Sequence, residues 1–383
     1  MHSLSDYINV CEQVYALIDT YDWWPVEIEG MPHFDAAMKR VYAWYANEII
    51  DRPPVRFMAH NAFLEATKQD IAHFSPQEKE AWWFNAELQI NLFARSIQDQ
   101  RFHAETFPVY FPNLGPDVYA AFYGAQLIFG EVTSWSVPLV KDWDQLDELR
   151  FDKSNVYFKK IEELTQCALE SCSGKYLVGY TDLHPGLDCA AAWRDPQQFC
   201  IDLIDQPHQA KRLLDLAIQD FELIYNHFDV ILKAAGQLSV SWMGIPSFGR
   251  MHIPSCDIST LISPAFYEEF GLPILQREVK TMTHNIFHMD GKGVARHLDA
   301  ILSVPEVHAI QWVQGVGDDY PIMQWVPFIK KLQSYHIPVI VDLSLSELEG
   351  FIDAMDPHGL FLWVATVSED QEIDIVKRLN HWS

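Results

Sequence analysis

The segment NIFHMDGKG at residues 285–293 places an imidazole, a carboxylate and two glycines within a few positions of one another. Ile286 and Phe287 read as the end of a strand, and VARHLDAILSV after the glycines reads as a helix. Side chains on a strand alternate faces with period two, so His288 and Asp290 point the same way. Such a pair can ligate a metal ion, act as acid and base, or form a structural couple in which the carboxylate orients the imidazole. Gly291 and Gly293 allow close backbone approach, which favours the first two roles.

A strand-end pair does chemistry only if a scaffold brings other groups to it. Short apolar runs recur at VRFMA (55–59), TFPVYF (106–111), KYLVGYT (175–181), LSVSWM (238–243), NIFHM (285–289), HAIQWV (308–313), IPVIVDL (337–343) and LFLWVAT (360–366). Helical patterns separate them, among them VYFKKIEELTQCALESC, AKRLLDLAIQDFELIYNHF, PAFYEEFGLPILQREVKTMT and VPFIKKLQSY. About eight buried strands alternating with helices predict an α/β chain folded as a (β/α)8 TIM barrel. No GxGxxG follows the first strand, which argues against an open dinucleotide-binding sheet. The stripe Tyr7, Val10, Cys11, Val14, Leu17, Ile18 and the stretch FDAAMKRVYAWYANEII predict an N-terminal α-helical extension over residues 1–50, with the barrel over 51–383.

Barrel enzymes build their sites at the C-terminal strand ends. There the third strand supplies Tyr180, Asp182 and His184, the fourth Trp242, the fifth His288 and Asp290, the sixth Gln311 and Trp312, and the seventh Asp342. Asp182 reads equally as a helix or turn cap and as a substrate-positioning group, whereas Asp342 reads as the cap of SELEGFIDAM. His184 stands before Pro185 and reads either as a substrate contact or as an exposed loop residue. Tyr180, Trp135, Trp242 and Trp312 are candidates for the floor of an apolar pocket, each with core packing as its alternative.

Composition narrows the partners. Lys plus Arg number 27 against 53 Asp plus Glu, a net charge of −26, and protonating all 16 histidines would still leave −10. Such a chain has no electrostatic footprint for nucleic acid or an anionic membrane surface. No apolar run approaches a membrane span, and the first residues lack the pattern of a signal peptide, so the expected location is cytoplasmic. The six cysteines contain no CxxC pair and read as reduced thiols.

The motifs resemble a known family. HMDGKGVARHLDAILSVPEVHAIQWVQGVGD, TDLHPGLDCAAAWRDPQQFCIDLIDQPHQAKRLLD and DISTLISPAFYEEFGLPIL are similar to segments of the uroporphyrinogen decarboxylase superfamily, over roughly residues 105–380. Within it the chain looks most like the decarboxylase-like and corrinoid-linked methyltransferase-like branch. The resemblance implies a (β/α)8 barrel with its site at the strand C-termini. It does not extend to uroporphyrinogen decarboxylase activity, because the arginine-rich segment that grips the porphyrinogen reads RPPVRFMAHNAFLEA here, with Arg56 but no second arginine close after it.

The methyltransferase branch implies a methyl transfer between a small substrate and a cobalamin carried by a partner protein, with zinc held by a His-x-Cys pair and a distant cysteine. Here His288 stands in the histidine place and Asp290 in that of the first cysteine, while LFLWVATVSED supplies no third thiol. The expectation is a His288/Asp290 site with an oxygen donor, or a metal-free acid–base pair, with Cys256 as the one nearby thiol. Asp182 would position substrate, and Tyr180, His184, Trp242, Gln311 and Trp312 would line its pocket. Two other readings stay open: a decarboxylase or lyase acting on a small carboxylic acid, with Asp182 or Asp290 handling the proton, and a non-catalytic ligand-binding barrel.

Overall fold

The computed structural model describes residues 25–382; the helical stripe expected at 7–18 lies outside them. The strands in chain order are β1 (Val55–Ala59), β2 (Val109–Tyr110), β3 (Gln126–Phe129), β4 (Ser134–Val137), β5 (Leu177–Val178), β6 (Met251–His252), β7 (His284–Asp290), β8 (Ala309–Val313), β9 (Val339–Leu343) and β10 (Leu360–Thr366). Six of them form one parallel sheet in the order β1-β10-β9-β8-β7-β6, a mixed α/β architecture whose sheet curls into half a barrel. The sequences VIVDL, AIQWV and LFLWVAT explain why these strands are so regular. Parallel strands are covered on both faces and therefore read as nearly continuous apolar runs.

The opposite wall is less regular, for identifiable reasons. β2 pairs with β5 over two residues only. Pro108 and Pro112 bracket β2 and have no N–H to give a ladder. The run 238–243, expected as a full strand, makes an isolated antiparallel bridge between Ser239 and Ser247 instead. Gly244, at φ +67°, and Pro246 turn the chain back there. The joint with β5 is nevertheless made, since the Tyr180 N–H donates to the Val240 carbonyl at 3.0 Å. Ser239 Oγ accepts the Met251 N–H at 2.9 Å, so a side chain replaces a ladder bond at the start of β6.

Between β1 and β2 the join is made by Glu105, which is fully buried. Its backbone N–H donates to the Val55 carbonyl, and its carboxylate accepts the Val55 N–H at 2.8 Å and Arg52 Nη1 at 2.7 Å. The buried charge is thus met by a buried guanidinium and a backbone amide, the condition under which burial of an ion is tolerated.

The helices match the apolar periodicity with some divisions. Val156–Cys172 forms as one helix, whereas the long run from 210 divides at Asp220 into Pro207–Gln219 and Phe221–Ala234. PAFYEEFGLPILQREV contains a π-helical turn at Tyr267–Gly271. Phe34–Tyr45 lies beneath the N-terminal strand ends, with the Trp44 indole N–H donating to the Gly359 carbonyl at 3.0 Å and the Tyr42 ring 5.2 Å from His284. The antiparallel hairpin β3–β4 was not expected from the sequence; Trp135, offered there as a pocket residue, lies on it and is half exposed to solvent. No helix among the described residues is long and apolar enough to cross a membrane.

Gly179 is where the irregular wall has no slack: a Cβ there would lie 2.4 Å from the Val240 carbonyl oxygen. Gly179→Ala should therefore push β5 away from the Ser239–Ser241 segment, at a cost of about 1–3 kcal/mol. Thermal melting checks this; an unchanged midpoint would show that the wall can yield.

Candidate active site

The register of the parallel sheet decides which side chains share the interior. Arg56 is level with Trp363, Trp363 with Asp342, Gln311 with Ile340, and His288 with Gln311. Residues level with one another in a parallel sheet face the same way. Arg56, Trp363, Asp342, Gln311 and His288 therefore lie on one face of the curled sheet, as polar or indole interruptions of otherwise aliphatic strands.

His288 is the centre of this group. Its Nδ1–H donates to Gln311 Oε1 at 2.6 Å, which fixes the ring and leaves Nε2 available. The Trp242 ring stands edge-on to the imidazole, with centroids 5.3 Å apart and planes at 87°. Asp290, the last residue of β7, occupies the N-cap position of the helix Gly291–Ala295, yet its side chain makes no capping bond. Its carboxylate is exposed, on the same side as His288.

A third group reaches this point from a loop. Donor atoms of Asp257, His288 and Asp290 all lie within 4.8 Å of one another, so the three could hold a metal ion. Two interactions deliver Asp257. The carboxylate of Asp188 accepts the N–H groups of Asp257 and Ile258 at 3.0 and 2.9 Å, organising the 3-10 turn Asp257–Leu261. Gly293 then lets the helix after β7 lie against that turn, since a Cβ would approach the Thr260 side chain to 3.0 Å. Gly291, at φ +77°, makes the sharp exit from β7 that starts this helix. Asp257 is exposed as a residue, yet the protein around its carboxylate displaces water there, and this with the neighbouring Asp188 raises it to about 6, against the pull of His288 and His184.

Asp182 and His184 belong to the layer behind. Asp182 caps no helix; its Oδ2 takes His184 Nε2 at 2.7 Å, and His184 Nδ1 reaches Ser255 Oγ at 2.8 Å. His184 is mostly buried rather than exposed in the loop. Asp–His–Ser contacts of this kind suggest a nucleophilic serine, but the electrostatics oppose it. Burial works against the imidazolium, yet Asp182 and then Asp188 and Asp257 outweigh it and raise His184 to about 10. A charged imidazole has no lone pair for a serine proton, and Ser255 Oγ itself donates to Asp188 Oδ2 at 3.3 Å. The chain Asp182–His184–Ser255–Asp188 is a brace. It leads directly to the site because Ser255 bridges to His288 and Pro254 accepts the His288 N–H.

Three expectations are corrected. Trp312 alternates with Gln311 and so faces the helices, fully buried against Trp325 and Phe328 with ring centroids 5.0 and 4.5 Å away. Tyr180 is likewise core: its hydroxyl donates to the Met251 carbonyl at 2.5 Å and its ring meets Tyr225. Asp342 is no helix cap; it turns inward, where burial raises it to about 6 although Arg56 and His288 pull the other way. Cys256 is buried beside the site, but the residue that joins His288 and Asp290 is its neighbour Asp257. Sequence reading missed Asp188, Ser255 and Asp257 because all three act from loops and helix starts, where no periodicity marks direction. Among the described residues five cysteines are free: Cys167, Cys172, Cys189, Cys200 and Cys256.

The fold has a solved counterpart. A methyltransferase from Methanosarcina mazei superposes with a TM-score of 0.59 at 12% sequence identity, covering 90% of this chain and 98% of the other. At that identity the likeness shows a shared fold. No protein-family model matches the sequence, and no curated protein does.

The raised His184 has a consequence for stability. A histidine whose folded pKa lies above its unfolded value of 6.5 contributes stability that is complete below pH 6.5 and is lost as pH rises through about 10. Asp182→Asn should lower the His184 pKa, measured by NMR of the imidazole C–H resonances, and flatten the decline of stability between pH 6.5 and 10. An unchanged titration would rule out the Asp182 pairing.

Proposed function

We propose that the chain is an enzyme of methyltransferase type, transferring a methyl group between a small substrate and a corrinoid presented by a partner protein. Its scaffold on this reading is a closed (β/α)8 barrel spanning residues 51–383, with residues 1–50 as a helical extension. The observation that carries the proposal is the convergence of Asp257, His288 and Asp290 at the end of β7. The likeness in fold to a methyltransferase supports it.

The donor set suits a divalent ion. One imidazole nitrogen and two carboxylates make a harder set than a thiolate-rich zinc site, acceptable to zinc and equally to manganese or iron. Gln311 supplies what a ligating histidine normally has, a partner on its other ring nitrogen that orients it and fixes its tautomer. A metal bound here would act as a Lewis acid on a substrate heteroatom.

The chain's own residues do the rest. Gln311 holds His288 with Nε2 directed at the reacting end of the site. Asp188 and Gly293 hold Asp257 against that end, and the Asp182–His184–Ser255 brace keeps the loop before Asp257 in place. Trp242 covers one side of the imidazole and keeps water from that side. The carboxylates of Asp257 and Asp290 can also take a proton from a substrate X–H at the same point.

Metal analysis of the purified protein, followed by titration with zinc and manganese, tests the site. Gln311→Leu should weaken metal affinity about 10–100-fold, and His288→Ala should abolish stoichiometric binding. Methylcobalamin incubated with a panel of methyl acceptors then tests the transfer; no change in the cobalamin spectrum with any acceptor would end the corrinoid reading.

A further inference from the structure

Near His288 and Arg56 the interior holds three side chains with polar atoms that nothing among the described residues satisfies. Trp242 Nε1, Trp363 Nε1 and Asp342 Oδ1 are each buried without a hydrogen-bond partner among the described residues. Beside them the Arg56 guanidinium stacks on the Trp363 ring at 4.6 Å and uses one Nη1–H on the Met243 carbonyl at 2.5 Å. Asp342 is close enough to feel the charges of Arg56 and His288, yet its Oδ1 takes a hydrogen bond from neither.

An orphan indole N–H is not telling by itself, since Trp312 Nε1 also has none. The difference is direction. Trp312 is wedged among aromatic rings on the helix side, whereas Trp363 is level with Arg56 and Asp342 on the inner face and Trp242 stands against His288. A buried donor or acceptor left unpaired costs free energy, and a buried guanidinium without a directly bonded carboxylate costs more. Several such groups converging on one interior are what a polar ligand would satisfy.

We infer that Arg56, Trp242, Trp363 and Asp342 form the substrate subsite of this barrel, and that it takes a small monocarboxylate bearing a neighbouring hydrogen-bond donor. The guanidinium and the indole N–H groups donate to the carboxylate oxygens. Asp342 Oδ1 accepts from the ligand's hydroxyl or amine, and the remainder of the ligand extends toward His288. Arg56 matches a single carboxylate, and Asp342 would repel a second one, which disfavours a dianion. A cavity of about 520 Å³, lined further by Met58, Trp82, Phe93 and Phe111, borders the subsite at Arg56.

The inference names the substrate class for the site proposed above and rests on that reading for which end reacts. Its test does not need metal, cobalamin or turnover. Lactate, propionate, malonate and lactamide are titrated into the full-length protein by calorimetry and intrinsic tryptophan fluorescence. Lactate should bind most tightly, propionate next, and malonate and lactamide at least about tenfold more weakly than lactate. Arg56→Met should weaken lactate binding about 10–100-fold. Trp363→Phe, which keeps the ring and removes the N–H, should weaken it by less and serves if the arginine variant does not fold. Lactamide binding as tightly as lactate, or no carboxylate binding to the wild-type protein, overturns the subsite. Lactate binding without any metal or cobalamin effect would leave the subsite standing and remove the methyltransferase reading.

Discussion

The structure depends most on the parallel register running from β7 through β8, β9 and β10 to β1. Because side chains alternate with period two, one choice of register sends His288, Gln311, Asp342, Trp363 and Arg56 to the same face and Met289 and Trp312 to the other. A slip of one residue in any pair would exchange these sets, burying charge among the helices and filling the interior with apolar groups. The apolar residues beside the polar ones prevent this, since Phe287, Ile310 and Val341, which face the other way, are all fully buried. The polar interruptions are tolerated because they fall on a face where other polar groups wait for them.

A second constraint acts on the loops. Asp257 is brought to His288 by contacts made elsewhere: Asp188 at the start of Leu187–Arg194 caps its turn, and Gly293 admits that turn against the helix after β7. His297 adds a bond to the Ser259 carbonyl at 2.9 Å. The candidate metal site is thus assembled from two separate stretches of chain, β7 and the 3-10 turn that begins at Asp257, with a third stretch at Asp188 holding that turn in place. The charged His184, balanced by Asp182 and Asp188, ties the same region to β7 through Ser255.

The contrast between the curled sheet and the irregular wall opposite it is instructive. β1, β9 and β10 fall where the apolar runs predict, because a strand packed on both faces must be apolar throughout. Where proline and glycine interrupt such a run, hydrogen bonds from side chains of Glu105, Thr106 and Ser239 stand in for the ladder. Those substitutions have no periodic signature. This is why LSVSWM reads as a strand and folds as a bridged turn, and why the β3–β4 hairpin went unread.

The sequence by itself determined the alternation of buried strands and helices, the pairing of His288 with Asp290, and the absence of a thiolate at the second position of that pair. These are local properties: hydrophobic period, residue type and spacing. Only the tertiary structure decided that Asp257 completes the group, that Asp342 and Arg56 turn inward, that Trp312 and Tyr180 belong to the core, and that Asp182 acts through His184. Each of those outcomes depends on which face a strand presents or on contacts between segments far apart in the chain. Direction and proximity of that kind come from register and packing, and a linear pattern of residues does not contain them.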